Sequence, residues 1–113
     1  MIETNGRSVA EWNIPYSKGT LLEAIYGCKF ITVEREYDRD VITIVFEERM
    51  IHDDMYKSRF RRRGIKSAGF IEVIDGKPVA TGKSTSIEGE PCATDDDTKT
   101  IQEWYEIKKG EKK

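Results

Sequence analysis

The chain has 113 residues, enough for one hydrophobic core and too few for two. Hydrophobic residues make up 37 % and charged residues 35 %, but eleven aromatics and clustered Ile and Val set the chain apart from disordered sequences. The formal net charge of −2 excludes a polycation, and no apolar run approaches the roughly 18 residues that span a bilayer, so no membrane role is expected.

One domain is expected over 1–113, frayed at residues 1–8 and 110–113, where polar residues dominate. Trp12, Ile14 and Tyr16 alternate with polar residues and suggest a short strand interrupted by Pro15. Thr20 and Glu23 have capping-box spacing, with Gly27 as a stop, which predicts a short helix over 20–26. A strand at the same place is the alternative.

Residues 28–36 and 41–47 are β-branched and aromatic, and Tyr37-Asp38-Arg39-Asp40 separates them as a turn, so a β-hairpin is expected. The run Val41-Ile42-Thr43-Ile44-Val45-Phe46 is nearly continuous in apolarity, as in a strand covered on both faces. A helix then runs from Asp53 or Asp54 to Arg63. Acids at its start and arginines at its end suit the helix dipole, and Gly64 is placed to stop it.

Phe70, Ile71, Val73 and Ile74 lead into Asp75-Gly76, a favoured two-residue turn, and the return strand runs through Val79 toward Ile87. Residues 94–98 read as an acidic loop or cap. In 99–109, Ile101, Trp104, Tyr105 and Lys108 fit a helix, while Ile101, Glu103, Tyr105 and Ile107 fit a strand. The acidic lead-in and basic end favour the helix. The fold class is therefore α+β: a mainly antiparallel sheet built from two hairpins, about 28–47 and 66–87, with one or two helices packed on one face.

The motifs that promise chemistry lack their context. Gly82-Lys83-Ser84-Thr85 ends like a phosphate-binding loop, but the pattern needs glycine at position 77, which is Lys77, and a helix afterwards. His52 is the only histidine, and its neighbours Asp53 and Asp54 point away from it on a helix, so it reads as part of a helix start. Asp95-Asp96-Asp97 lacks the alternating acids of a calcium loop. Cys28 and Cys92 form no C-x-x-C pair, and residues 1–6 resemble no export signal, so two reduced thiols in a cytoplasmic setting are expected. No cofactor, metal site or catalytic residue follows, which favours a binding module over an enzyme.

Charge is unevenly placed. Lys57, Arg59, Arg61, Arg62, Arg63 and Lys66 fall within ten residues that hold no acid, leaving 13 basic and 21 acidic side chains elsewhere. On a continuous helix, Arg59, Arg62, Arg63 and Lys66 share one face beside Tyr56 and Phe60. Arginine forks suit phosphate or carboxylate oxygens, and aromatics suit stacked bases. The expected function is a small non-enzymatic binding module that engages an anionic partner, nucleic acid or an acidic protein surface, through residues 57–66. Intrachain pairing with the acidic remainder accounts for the same pattern. A small-molecule or catalytic cup between sheet and helix is the alternative, and a homo-oligomeric interaction protein is the second.

Overall fold

The structure of the protein, a computed structural model, describes residues 2–60 and 63–111. Six strands and three α-helices follow one another as β1 (Ile2–Thr4), β2 (Arg7–Trp12), α1 (Leu21–Ile25), β3 (Lys29–Glu34), β4 (Val41–Phe46), α2 (His52–Arg59), β5 (Gly64–Ile74), β6 (Lys77–Thr81) and α3 (Asp95–Glu111). The strands form one mixed sheet in the order β1-β2-β4-β3-β5-β6, curled into a half-barrel. The β2–β4 pair is parallel and its neighbours are antiparallel. The α+β class and both hairpins are as the sequence predicts, but three helices pack on two faces of the sheet, α1 and α3 on one and α2 on the other, where one or two on a single face were expected.

The N-terminal stretch corrects the expectation of fraying for residues 2–8, residue 1 lying outside the described residues. Asn5 and Gly6 take φ of 51° and 72°, the left-handed pair of a two-residue hairpin turn, and pair Thr4 with Arg7. Thr4 and Arg7 are buried. At the other end, Gly110 and Glu111 continue α3, and residues 112 and 113 lie outside the described residues.

The second helix is also corrected. It ends at Arg59 rather than Arg63, where the Phe60 N–H makes the last helical bond to the Tyr56 carbonyl. Gly64 opens β5 instead of capping the helix, because β5 pairs with β3 from Glu34↔Gly64 onward and draws the backbone into the sheet. The return strand β6 stops at Thr81, short of Ile87. Gly82 turns the chain there with φ of 76°, and a Cβ at that position would lie 3.1 Å from the Phe70 ring.

Strand β4 lies inside the sheet between β2 and β3, with Thr43 to Phe46 buried. Its alternating side chains feed two apolar clusters. On one face, Val45 joins Val9, Ile25, Phe30, Ile71, Ile101 and Trp104 beneath α1 and α3. On the other, Ile44 and Phe46 join Ile31, Val33, Met55 and Ala68 against α2, with Ile87 from the loop beyond β6.

Helix α3 lies across the opening of the half-barrel and meets both edge strands. Thr94 and Asp97 cap its start: the Asp97 N–H donates to Thr94 Oγ1 at 3.2 Å, and the Thr94 N–H donates to Asp97 Oδ2 at 3.0 Å. The other oxygen of Asp97 faces the sheet. Arg7 Nη1 donates to Asp97 Oδ1 at 2.6 Å and Thr32 Oγ1 stands 3.0 Å from it, while Thr32 and Thr43 hydroxyls meet at 2.7 Å. A hydroxyl has one proton to give, so Thr32 donates to the carboxylate and Thr43 donates to Thr32. This buried network ties β2, β3, β4 and α3 together.

The edges of the sheet are guarded. Pro78 offers no N–H to a further strand. Two residues on, the Ala80 N–H donates to Thr98 Oγ1 of α3 at 3.0 Å. The opposite edge, β1, is only three residues long.

Candidate functional site

The structure breaks the basic segment into pieces that face different partners. Lys57 and Arg59 sit on α2, Arg63 lies in the bend before β5, and Lys66 lies on β5, so the single helical face expected for Arg59, Arg62, Arg63 and Lys66 does not form. Arg61 and Arg62 lie outside the described residues. Lys57 pairs with Asp53 at 3.0 Å. Lys66 approaches Glu34 at 3.8 Å, and Arg63 approaches Asp40 at 3.8 Å, too far for a hydrogen bond. Arg59 has no acidic partner among the described residues. Its guanidinium lies 4.1 Å from the centroid of the Trp12 ring. Tyr56 and Phe60 are half-buried against the second cluster, and Tyr56 Oη donates to the Arg63 carbonyl at 2.6 Å, which holds the bend to the helix.

The other singled-out residues have structural partners. His52 is buried between the edges of Phe46 and Phe70, with ring centroids 5.5 and 5.4 Å away. Its Nε2 lies 2.9 Å from the Gly69 carbonyl, which fastens the start of α2 to β5. Burial pushes the His52 pKa below its ordinary value, against the Gly69 carbonyl bond that raises it; Lys29 nearby lowers it further.

Lys83 pairs with Glu90 at 3.0 Å, and bends follow it where a phosphate loop needs a helix. Asp95 and Asp96 are exposed while Asp97 is buried on Arg7, so the three acids do not converge. Among the described residues no cluster of three or more His, Cys, Asp or Glu has the spacing of a metal site. Neither cysteine is disulfide-bonded. Cys28 is buried, with its thiol donating to the Ala24 carbonyl at 3.3 Å, and Cys92 is exposed.

A concave feature that sequence reading missed lies at the seam of the half-barrel. Where α3 crosses between the two sheet edges, a solvent-open groove of about 420 Å³ remains. Glu3 and Thr4 of β1 form one wall, Lys77 and Pro78 of β6 another, and Gln102, Glu103, Tyr105, Glu106 and Ile107 of α3 the third. Its lining is mainly apolar, and its volume lies within the range usual for small-molecule sites. Ile107, at 40 % exposure, is a large apolar side chain left in the open here. A second hollow of about 310 Å³, beside Asn13, Tyr26, Cys28 and Glu47, is more polar.

One sequence signal pointed to the groove. The stripe Ile101, Trp104, Tyr105 and Lys108 accounts for the buried face of α3 and leaves Ile107 off it. The other walls come together only when the sheet curls. No protein family, curated protein or solved structure matches the chain. Among the described residues, no helix is long and apolar enough to cross a membrane.

Proposed function

We propose that the protein is a small binding module that takes a small molecule in the groove between β1, β6 and α3. The observation that carries this reading is the convergence of side chains from three elements on a mainly apolar concavity where the half-barrel stays open. It develops the ligand cup between sheet and helix weighed from the sequence, and the groove's mainly apolar lining supports it. Amide NMR shifts during titration with a panel of small apolar fragments test it. Shifts should centre on Thr4, Gln102 and Ile107, and Ile107→Arg, which fills the groove from an exposed position, should abolish them. Shifts centred elsewhere, or unchanged by Ile107→Arg, sink the reading.

A second reading keeps the basic segment as a contact for nucleic acid or an acidic protein surface. The stacking of Arg59 on Trp12 favours it, because an arginine held on an indole is oriented before any anion arrives. The ion pairs of Lys57, Arg63 and Lys66 weaken it, since each acid must be displaced before its cation serves a phosphate. Oligonucleotide binding across a salt series separates the two readings: if counterion release drives affinity, it falls as salt rises, and Arg59→Gln weakens it. Self-association through the sheet edges is disfavoured by Pro78 and Thr98. A reducing, cytoplasmic setting is part of the same proposal and is supported by two cysteines outside any disulfide.

A further inference from the structure

We infer that the ligand of the seam groove is an organic cation with an apolar body, of the alkylammonium type; this rests on the groove being the binding site. Two observations carry the chemistry. The first is charge. The lining holds three carboxylates, Glu3, Glu103 and Glu106, against the single ammonium of Lys77. Among the described residues, none of the three carboxylates is engaged in an ion pair. They share the groove with a mainly apolar lining, so a ligand that buries a hydrocarbon chain there brings its head group near them.

The second observation is independent of those acids. Tyr105 presents a ring to the groove, and the chain's own Lys109 ammonium stands 5.8 Å from its centroid. That is within the distance at which a ring face attracts a cation. Lys109 itself is exposed and is not one of the groove's lining residues, so the ring that lines the groove already attracts a cation that is not part of the groove. An anionic ligand would meet three like charges in the lining and only Lys77 in compensation. A neutral one would leave the carboxylates unused.

The test is titration of the intact protein, followed by amide NMR and calorimetry, with hexyltrimethylammonium, hexanol and hexanoate as matched probes. The ammonium should bind about tenfold more tightly than the alcohol, the order expected of a few solvent-exposed charge contacts, and hexanoate should bind most weakly. Raising the salt concentration should shrink that preference. In the double variant Glu103→Gln with Glu106→Gln, both exposed positions, the preference for ammonium over alcohol, both measured on the variant, should shrink severalfold while Glu3 and the Tyr105 ring remain; an undiminished preference overturns the cation inference. Equal binding of ammonium and alcohol, or tighter binding of hexanoate, overturns the cation inference and leaves the groove as a site. Failure of all three probes to move groove resonances overturns the groove reading itself.

Discussion

The most exacting test of the fold is Asp97→Ala. Asp97 is fully buried, and its two oxygens take four partners: Arg7 Nη1 and Thr32 Oγ1 on one, the Thr94 N–H and hydroxyl on the other. Alanine leaves Arg7 charged and buried with only long contacts to Thr32 and Thr43, at 3.5 and 3.4 Å. Removing one side of a buried ion pair costs about 3–5 kcal/mol. Loss of the Asp97 half of the capping pair adds about 0.5–1.5 kcal/mol, the worth of a hydrogen bond, while the backbone N–H at position 97 keeps its bond to Thr94 Oγ1. The total approaches the about 5–15 kcal/mol that holds a domain of this size together. Urea unfolding followed by circular dichroism should therefore show the variant largely unfolded or near its midpoint in buffer. The milder pair Arg7→Met and Asp97→Asn completes a thermodynamic cycle. Arg7→Met should cost much less in the Asp97→Asn background, because the arginine there has already lost its charged partner. A loss below about 1 kcal/mol for Asp97→Ala, or strict additivity in the cycle, would refute the idea that this network joins α3 to the sheet.

Three further outcomes are expected. His52 favours its neutral form when folded, so the unfolded chain binds its proton first; stability should hold above the unfolded pKa of about 6.5 and fall as pH drops through it, by at most about 1.4 kcal/mol per unit. Being the only histidine, it should lose this step in His52→Gln, read by urea midpoints between pH 7 and 5; an unchanged profile would remove His52 as its source. Gly69→Ala would place a Cβ 2.5 Å from the Thr81 carbonyl oxygen and 3.2 Å from Phe30, so thermal unfolding should reveal a loss of about 1–3 kcal/mol, whereas a neutral effect would mean that β5 and β6 separate freely there. Phe46→Ala empties a fully buried site in the second cluster and should cost about 3–5 kcal/mol in denaturant unfolding; less than about 1 kcal/mol would contradict the packing of β4.

Local signals were legible in the sequence where the chain obeys one rule at a time. The apolar run from Val41 to Phe46, the Asp75-Gly76 turn and the Thr20–Glu23 capping box each correspond to the element they specify. The Asn5-Gly6 turn was just as readable, but the polar Glu3, Thr4, Arg7 and Ser8 around it masked the hairpin. Their polarity makes sense only once Asp97, 90 residues along the chain, accepts from Arg7. The misplaced end of α2 has a related cause. Arginines up to Arg63 suit a helix terminus, yet the pairing of β5 with β3 outweighs that local preference. The basic segment was visible as charge, but its acidic partners Glu34 and Asp40 sit in a turn and strand whose proximity is tertiary. The seam groove left only Ile107 as a trace, since its other walls, on β1 and β6, are far apart along the chain and meet only when the sheet curls.

The position of α3 has a consequence for the order in which the molecule can assemble. It is made after every strand of the sheet, yet it covers the face that Phe30, Val45 and Ile71 present. During synthesis that apolar concavity stands open until the last helix arrives, and Arg7 stays without its carboxylate for the same interval. Contacts so distant along the chain also form slowly. A nascent chain cut short before residue 95 should therefore be the aggregation-prone form, and the species on which a chaperone acts.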